Sequence, residues 1–151
     1  MAMTMNGEVQ LPASREAVWA KLNDPEVLKA CIPGCEELEK TEENGFRAVA
    51  KMKVGPVSAR FKGRVTLSDL DPPNGYKITG EGEGGVAGFA KGEARVTLTP
   101  AGDNTTLGYA AKATIGGKLA QVGSRLVDGV AKKLAEQFFT KFNAHVTAQA
   151  S

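Results

Sequence analysis

Between Phe46 and Ile115 apolar residues recur at every second position, and beyond Gly116-Gly117 they recur every third or fourth. That change of period constrains the chain more than any other feature. In the first part Phe46, Ala48, Ala50, Met52 and Val54, then Val57, Ala59, Phe61, Val65 and Leu67, are separated mostly by Arg, Lys, Ser and Thr, the pattern of antiparallel strands with one wet face. Turns at Gly55-Pro56 and Asp71-Pro72-Pro73-Asn74-Gly75 punctuate it, and residues 76–84, 86–99 and 105–115 read as three further strands. In the second part Leu119, Val122, Leu126, Val130, Leu134, Phe138 and Phe142 form one stripe. Polar residues cover most of the remainder, so the spacing predicts a single amphipathic helix about 40 Å long at roughly 1.5 Å per residue. A helix that is apolar on one side must lie on something, and the strands are the partner available.

Ahead of this, Glu8 to Leu11 reads as a short strand stopped by Pro12. A helix capped by Ser14 follows, with Val18, Trp19 and Leu22 on one face, and then a second, capped by Asp24 with Pro25 at its first position and ended by Pro33-Gly34. The expected fold is therefore α+β: one domain over residues 1–151, with a curved antiparallel sheet of six or seven strands wrapped around a long C-terminal helix and two short helices after the first strand. A chain of 151 residues can bury a sufficient core without staples.

Several function classes fall away. The 19 basic and 17 acidic residues are spread along the chain and leave a net charge of only +2, so no nucleic-acid partner is expected. Residues 1–6 lack the basic and apolar regions of an export signal, and no window holds the roughly 20 apolar residues of a spanning helix. A cytoplasmic protein is expected, with peripheral contact to the inner face of the membrane at most. Cys31 and Cys35 could close only a small strained ring, and they read as free thiols. The only histidine, His145, is far from both, so no metal site and no nucleophile–base pair is expected. Gly80-x-Gly82-x-x-Gly85 matches a dinucleotide fingerprint in letters only, because a strand follows it where a helix should receive the phosphates. Glu81, Glu83 and Glu93 fall on the wet face, beside Lys77, Lys91 and Arg95.

What the later strands put inward is unusual. If Tyr76 and Ile78 face the helix, so do Gly80, Gly82 and Gly84; the next strand places Gly88, Ala90, Gly92 and Ala94 before Val96 and Leu98. The last strand places Ala111 and Ala113 between Leu107, Tyr109 and Ile115. A filled core would need larger residues there. Two explanations stand: the small residues let the long helix lie close on a strongly curved sheet, or they leave an apolar space for a hydrophobic ligand. In the second case Trp19, Phe61, Gly82, Ala90, Tyr109, Ala111, Leu126, Val130 and Phe138 are the expected lining. The alternative is an assembly factor with no bound ligand, which would dock a partner protein through the loop over residues 31–37 that holds Cys31, Pro33, Gly34 and Cys35.

The strings Ile32-Pro33-Gly34-Cys35-Glu36, Val54-Gly55-Pro56-Val57, Asp71-Pro72-Pro73, Ala87-Gly88-Phe89-Ala90-Lys91-Gly92 and Gly116 to Arg125 closely resemble the carbon monoxide dehydrogenase G-subunit (CoxG) family. The likeness covers nearly the whole chain, and that family looks like part of the START-like (SRPBCC) helix-grip superfamily. The resemblance implies a non-enzymatic accessory to a molybdenum hydroxylase of the carbon monoxide dehydrogenase type, concerned with membrane recruitment or electron-acceptor delivery. It implies no covalent cofactor, a bound quinone or lipid, and partnership with the hydroxylase subunits; monomer and homodimer both stay open. A cyclase or hydrolase of the same superfamily would need an inward ionisable residue, which the alternation does not place. Many relatives continue into a linker and an apolar tail, whereas this sequence stops at Ser151. Membrane contact is accordingly expected to be peripheral or partner-mediated.

Overall fold

A computed structural model describes residues 1–41 and 44–150, with side chains through Thr147. The chain begins with β1 (Ala2–Leu11), which is longer than its predicted Glu8–Leu11. Met3, Met5, Gly7 and Val9 alternate with exposed Thr4, Asn6 and Glu8, a period-2 pattern made faint by the intervening Gly and Asn. Pairing with the last strand makes it regular. Helix α1 (Arg15–Leu22) starts where the Ser14 hydroxyl accepts the Ala17 amide at 3.2 Å, and α2 (Pro25–Cys31) starts where Asp24 accepts the Glu26 amide at 3.0 Å. Both predicted caps are in place.

Six strands follow: β2 (Cys35–Thr41), β3 (Gly45–Val54), β4 (Val57–Asp71), β5 (Gly75–Glu83), β6 (Phe89–Ala101) and β7 (Asn104–Gly116), with a 3-10 turn at Gly85–Ala87 between β5 and β6. They form one antiparallel seven-stranded sheet in the order β1-β7-β6-β5-β4-β3-β2. Consecutive strands pair as hairpins, β7 returns beside β1, and α1 and α2 carry the chain from one edge strand to the other.

The helical stretch after Gly116 is not continuous. A short α3 (Lys118–Gln121) is separated from α4 (Ser124–Ala150) by Gly123, whose φ of +98° suits glycine and breaks the predicted helix. The interruption resets the helical phase. Val127 is buried, while Leu126 is 38% exposed and lies over Gly55 at the β3–β4 turn. The predicted stripe thus holds from Val130 onward and fails at Leu126.

The core divides in two. A large cluster holds Leu11, Val18, Cys31, Leu107, Phe142 and Val146, none more than 1% exposed; a smaller one holds Val54, Ile115, Leu119 and Val127. Val127 and Phe142 are roughly 22 Å apart along α4, so the clusters close opposite ends of the space between helix and sheet.

On the outer face the Glu93 carboxylate sits between Lys77 at 2.8 Å and Lys112 at 3.0 Å, which hold its pKa down at about 2 from an ordinary 4.5. A depressed carboxylate contributes stability above its unfolded pKa and loses it as pH falls, here between pH 4.5 and about 2. Glu93→Gln is expected to flatten the decline of Tm across that interval relative to the unmodified chain. Parallel declines in the two proteins would show that the bridge adds nothing.

Candidate functional site

The register shows what the sheet turns toward the helix. From Met3 to Leu11, Phe46 to Val54, Val57 to Leu67, Tyr76 to Gly82, Ala90 to Leu98 and Thr105 to Ile115, every inward position is uncharged. Between the two core clusters these positions are small: Gly63 faces Gly82, Gly82 faces Ala90, Gly80 faces Gly92, and Ala94 faces Ala111. Each is partly accessible. The same residues also border outer-face hollows beside Glu81, Lys91, Glu93 and Lys112, so the surroundings of the glycines, and not accessibility, decide whether a gap lies on the helix side.

The glycines separate the two explanations of these small residues. A Cβ on Gly82 would meet only the Lys62 carbonyl at 3.8 Å, and one on Gly80 only Arg64 O and Val65 Cγ2 at 3.4 Å. Among the described residues, nothing of α4 lies within 4 Å of either position. Close approach of the helix therefore does not account for Gly80 or Gly82. Gly92 differs, because a Cβ there would collide with the Lys112 carbonyl and crowd Ala113, so the tight approach of β6 to β7 accounts for that glycine. Gly92→Ala is expected to lose about 1–3 kcal/mol by overpacking, whereas Gly82→Ala should be neutral or gain up to about 1 kcal/mol from a stiffer unfolded chain. Urea denaturation of the two variants checks the contrast; equal losses would mean that the space over Gly82 is filled.

Eight of the nine expected lining residues belong to the two clusters or to the sheet between them. Trp19, Tyr109 and Phe138 pack on the large cluster; Phe61, Ala90 and Val130 pack on the small one; Gly82 and Ala111 lie on the sheet between them. The Trp19 ring meets Tyr76 edge-on at 5.3 Å, and Tyr109 stacks on Phe139 at 5.5 Å. Leu126 is outside, for the reason of helical phase given above. Met5 of β1, opposite Ala111, and Gly63 of β4 also border the gap, beyond the expected lining; their places in the alternation were the available signal.

The profile of the family described as the G subunit of carbon monoxide dehydrogenase (CoxG) matches residues 7–147. The chain belongs to that family. Among solved structures, a conserved protein from Geobacillus kaustophilus is 36% identical, with a TM-score of 0.91 over 97% of this chain and 96% of that one. A START superfamily protein from Mycobacterium smegmatis (16% identical, TM-score 0.73, 97% and 98% covered) and an aromatase/cyclase from Streptomyces (16%, 0.71, 100% and 97%) share the fold. No curated protein matches the sequence. The predicted START-like α+β architecture is thereby shown.

Few groups inside this CoxG family member can do chemistry. Its inward hydroxyls on the sheet are those of Tyr76, Thr105 and Tyr109. Thr105 donates to the Ala13 carbonyl at 2.7 Å, and burial pushes the Tyr76 hydroxyl pKa well up, so it stays protonated. Neither is placed to act as a base. No helix among the described residues is long and apolar enough to cross a membrane.

The candidate docking loop is narrower than predicted. Cys31 is fully buried at the end of α2, so its side chain offers nothing to a partner. Pro33 and Cys35 are half-buried and Gly34 is exposed, with φ +76° and a Cβ position that would collide with the Lys51 carbonyl of β3. The Cys35 thiol donates to the Glu37 carbonyl at 3.4 Å, and burial raises the pKa of both thiols, which keeps them protonated and unreactive.

Proposed function

We propose that this chain is a non-enzymatic carrier of an apolar ligand, a quinone or a lipid, which it holds between sheet and helix as accessory to a molybdenum hydroxylase of the carbon monoxide dehydrogenase type. The observation that carries the proposal is the open, uncharged surface over Gly80 and Gly82, at positions where neither helix nor strand packing requires glycine. Ligand sites are commonly apolar concavities with few polar groups. The family's description supports the choice of partner. Exposed apolar side chains at Val86 (85%) and Phe89 (40%), at the β5–β6 turn, support a peripheral contact with the cytoplasmic face of the membrane. Among the described residues, no carboxylate or histidine sits on the inner face of β1 and β3 to β7, which weighs against acid–base catalysis of the kind a cyclase would need.

Native mass spectrometry of the protein, purified without detergent, tests the carrier role. The expected result is a bound isoprenoid or lipid released on denaturation, and quenching of Trp19, the only tryptophan, by added quinone. A protein that always arrives empty and takes up neither class of ligand would sink the proposal.

A further inference from the structure

We propose that the space opens through the groove between the free edge of β1 and α4, and that its occupant is a neutral amphiphile whose carbonyl or hydroxyl head accepts a hydrogen bond from Tyr109 at that mouth. This rests on the carrier role above and narrows its ligand class.

Strand β1 is an edge strand, paired only with β7. On its other side lies a groove of about 690 Å³ against α4, bordered by Gly7, Val9, Tyr109, Phe139 and Thr140. Tyr109 belongs both to this groove and to the inner surface, since it is inward on β7 two positions before Ala111. Its hydroxyl lies directly over Gly7, where an added Cβ would come within 2.7 Å of Oη, and its ring is stacked on Phe139. The glycine leaves the tyrosine room to stand there, and the stack holds the ring in place.

Of the inward hydroxyls, Thr105 is already bonded to Ala13, and Tyr76 is only 5% exposed beneath Trp19. Tyr109 remains partly accessible. It is therefore the inward hydroxyl that a guest can reach, with the apolar Gly/Ala surface beyond it to take a tail. A buried polar head left without a partner would be penalised, so the head belongs at Tyr109 and the tail deeper.

The rim selects among heads. Glu8 and Glu136 are both exposed on the groove, and among the described residues no Lys or Arg lines it; Arg95, beside Glu8 on the adjoining outer face, is paired with Asp69. Carboxylates on the rim disfavour a fatty-acid carboxylate or a phosphate headgroup. A quinone ring is neutral and presents carbonyl acceptors, which suits a phenol donor.

Isothermal titration of the full chain with decylubiquinone and, separately, with palmitate tests this. Decylubiquinone is expected to bind more tightly than palmitate. Tyr109→Phe should weaken decylubiquinone about tenfold, the order expected when one hydrogen bond in a dry site is left unmade, and should leave palmitate unchanged. The double variant Glu8→Lys, Glu136→Lys should raise palmitate affinity, an effect that a merely structural tyrosine or rim would not produce. Palmitate preferred by the unmodified chain, or a folded Tyr109→Phe variant with undiminished quinone affinity, would overturn the inference while leaving the carrier role standing. If the unmodified chain binds neither probe, both fall together.

Discussion

Ala111→Phe is expected to abolish ligand binding, by at least about a hundredfold, and to leave stability unchanged or raised by up to about 3 kcal/mol. Ala111 lies on the inner face of β7, flanked by Ala94 of β6 and Met5 of β1, and is partly accessible. A phenyl ring there would project into the gap that the ligand is proposed to occupy. Overpacking a filled core costs about 1–3 kcal/mol, whereas burying a phenylalanine in vacant apolar space contributes about 1.5–3 kcal/mol of transfer free energy. The sign of the stability change therefore distinguishes a filled interior from an open one, independently of any ligand. Urea unfolding and calorimetry with decylubiquinone read the two effects. A variant that binds as before would remove the interior from the function. One that loses about 3 kcal/mol would show that the small residues serve packing.

The second large effect concerns the packed cluster beside the proposed mouth. Phe142 is fully buried, stacks on Phe138 at 5.7 Å and belongs to the cluster that ties α4 to α1, α2 and the sheet. Phe142→Ala should cost about 3–5 kcal/mol, from lost transfer free energy plus the cavity left behind. Domains of this size are stable by only about 5–15 kcal/mol, so the variant should unfold at a markedly lower urea midpoint with its slope unchanged. A loss below about 1 kcal/mol would mean that the C-terminal half of α4 is not what anchors the helix. Together the two variants assign separate work to the two parts of the interior: the large cluster holds the fold, and the gap beside it is free to hold something else.

The candidate site was legible in part, and the reason lies in how each residue is held. Gly82, Ala90 and Ala111 follow from alternation alone, because a side chain's face on a strand is fixed by counting by two. Leu126 does not follow from its stripe, because helical phase accumulates from wherever the helix starts, and nothing in the periodicity required a restart at Gly123. Cys31 reads as available to a partner because spacing carries no information on depth; in the fold α4 and the sheet close over it. Gly80 and Gly92 look alike in sequence, yet one faces open space and the other a neighbouring strand's carbonyl. That difference depends on the distance between β6 and β7, which no local pattern encodes.

What the sequence by itself determined is the order of elements, the two working helix caps, and the sign of each sheet face. All three rest on interactions between residues near in the chain: hydrogen bonds of Ser14 and Asp24 to their own first turns, turn residues between strands, and the two-residue repeat. Only the tertiary structure decided that the core divides into two clusters with an unfilled, uncharged stretch between them, and that Tyr109 stands over Gly7 at its mouth. Those features arise from how far a curved sheet holds a straight helix from its centre, a distance set by the bulky residues at the two ends and not by the small ones in the middle.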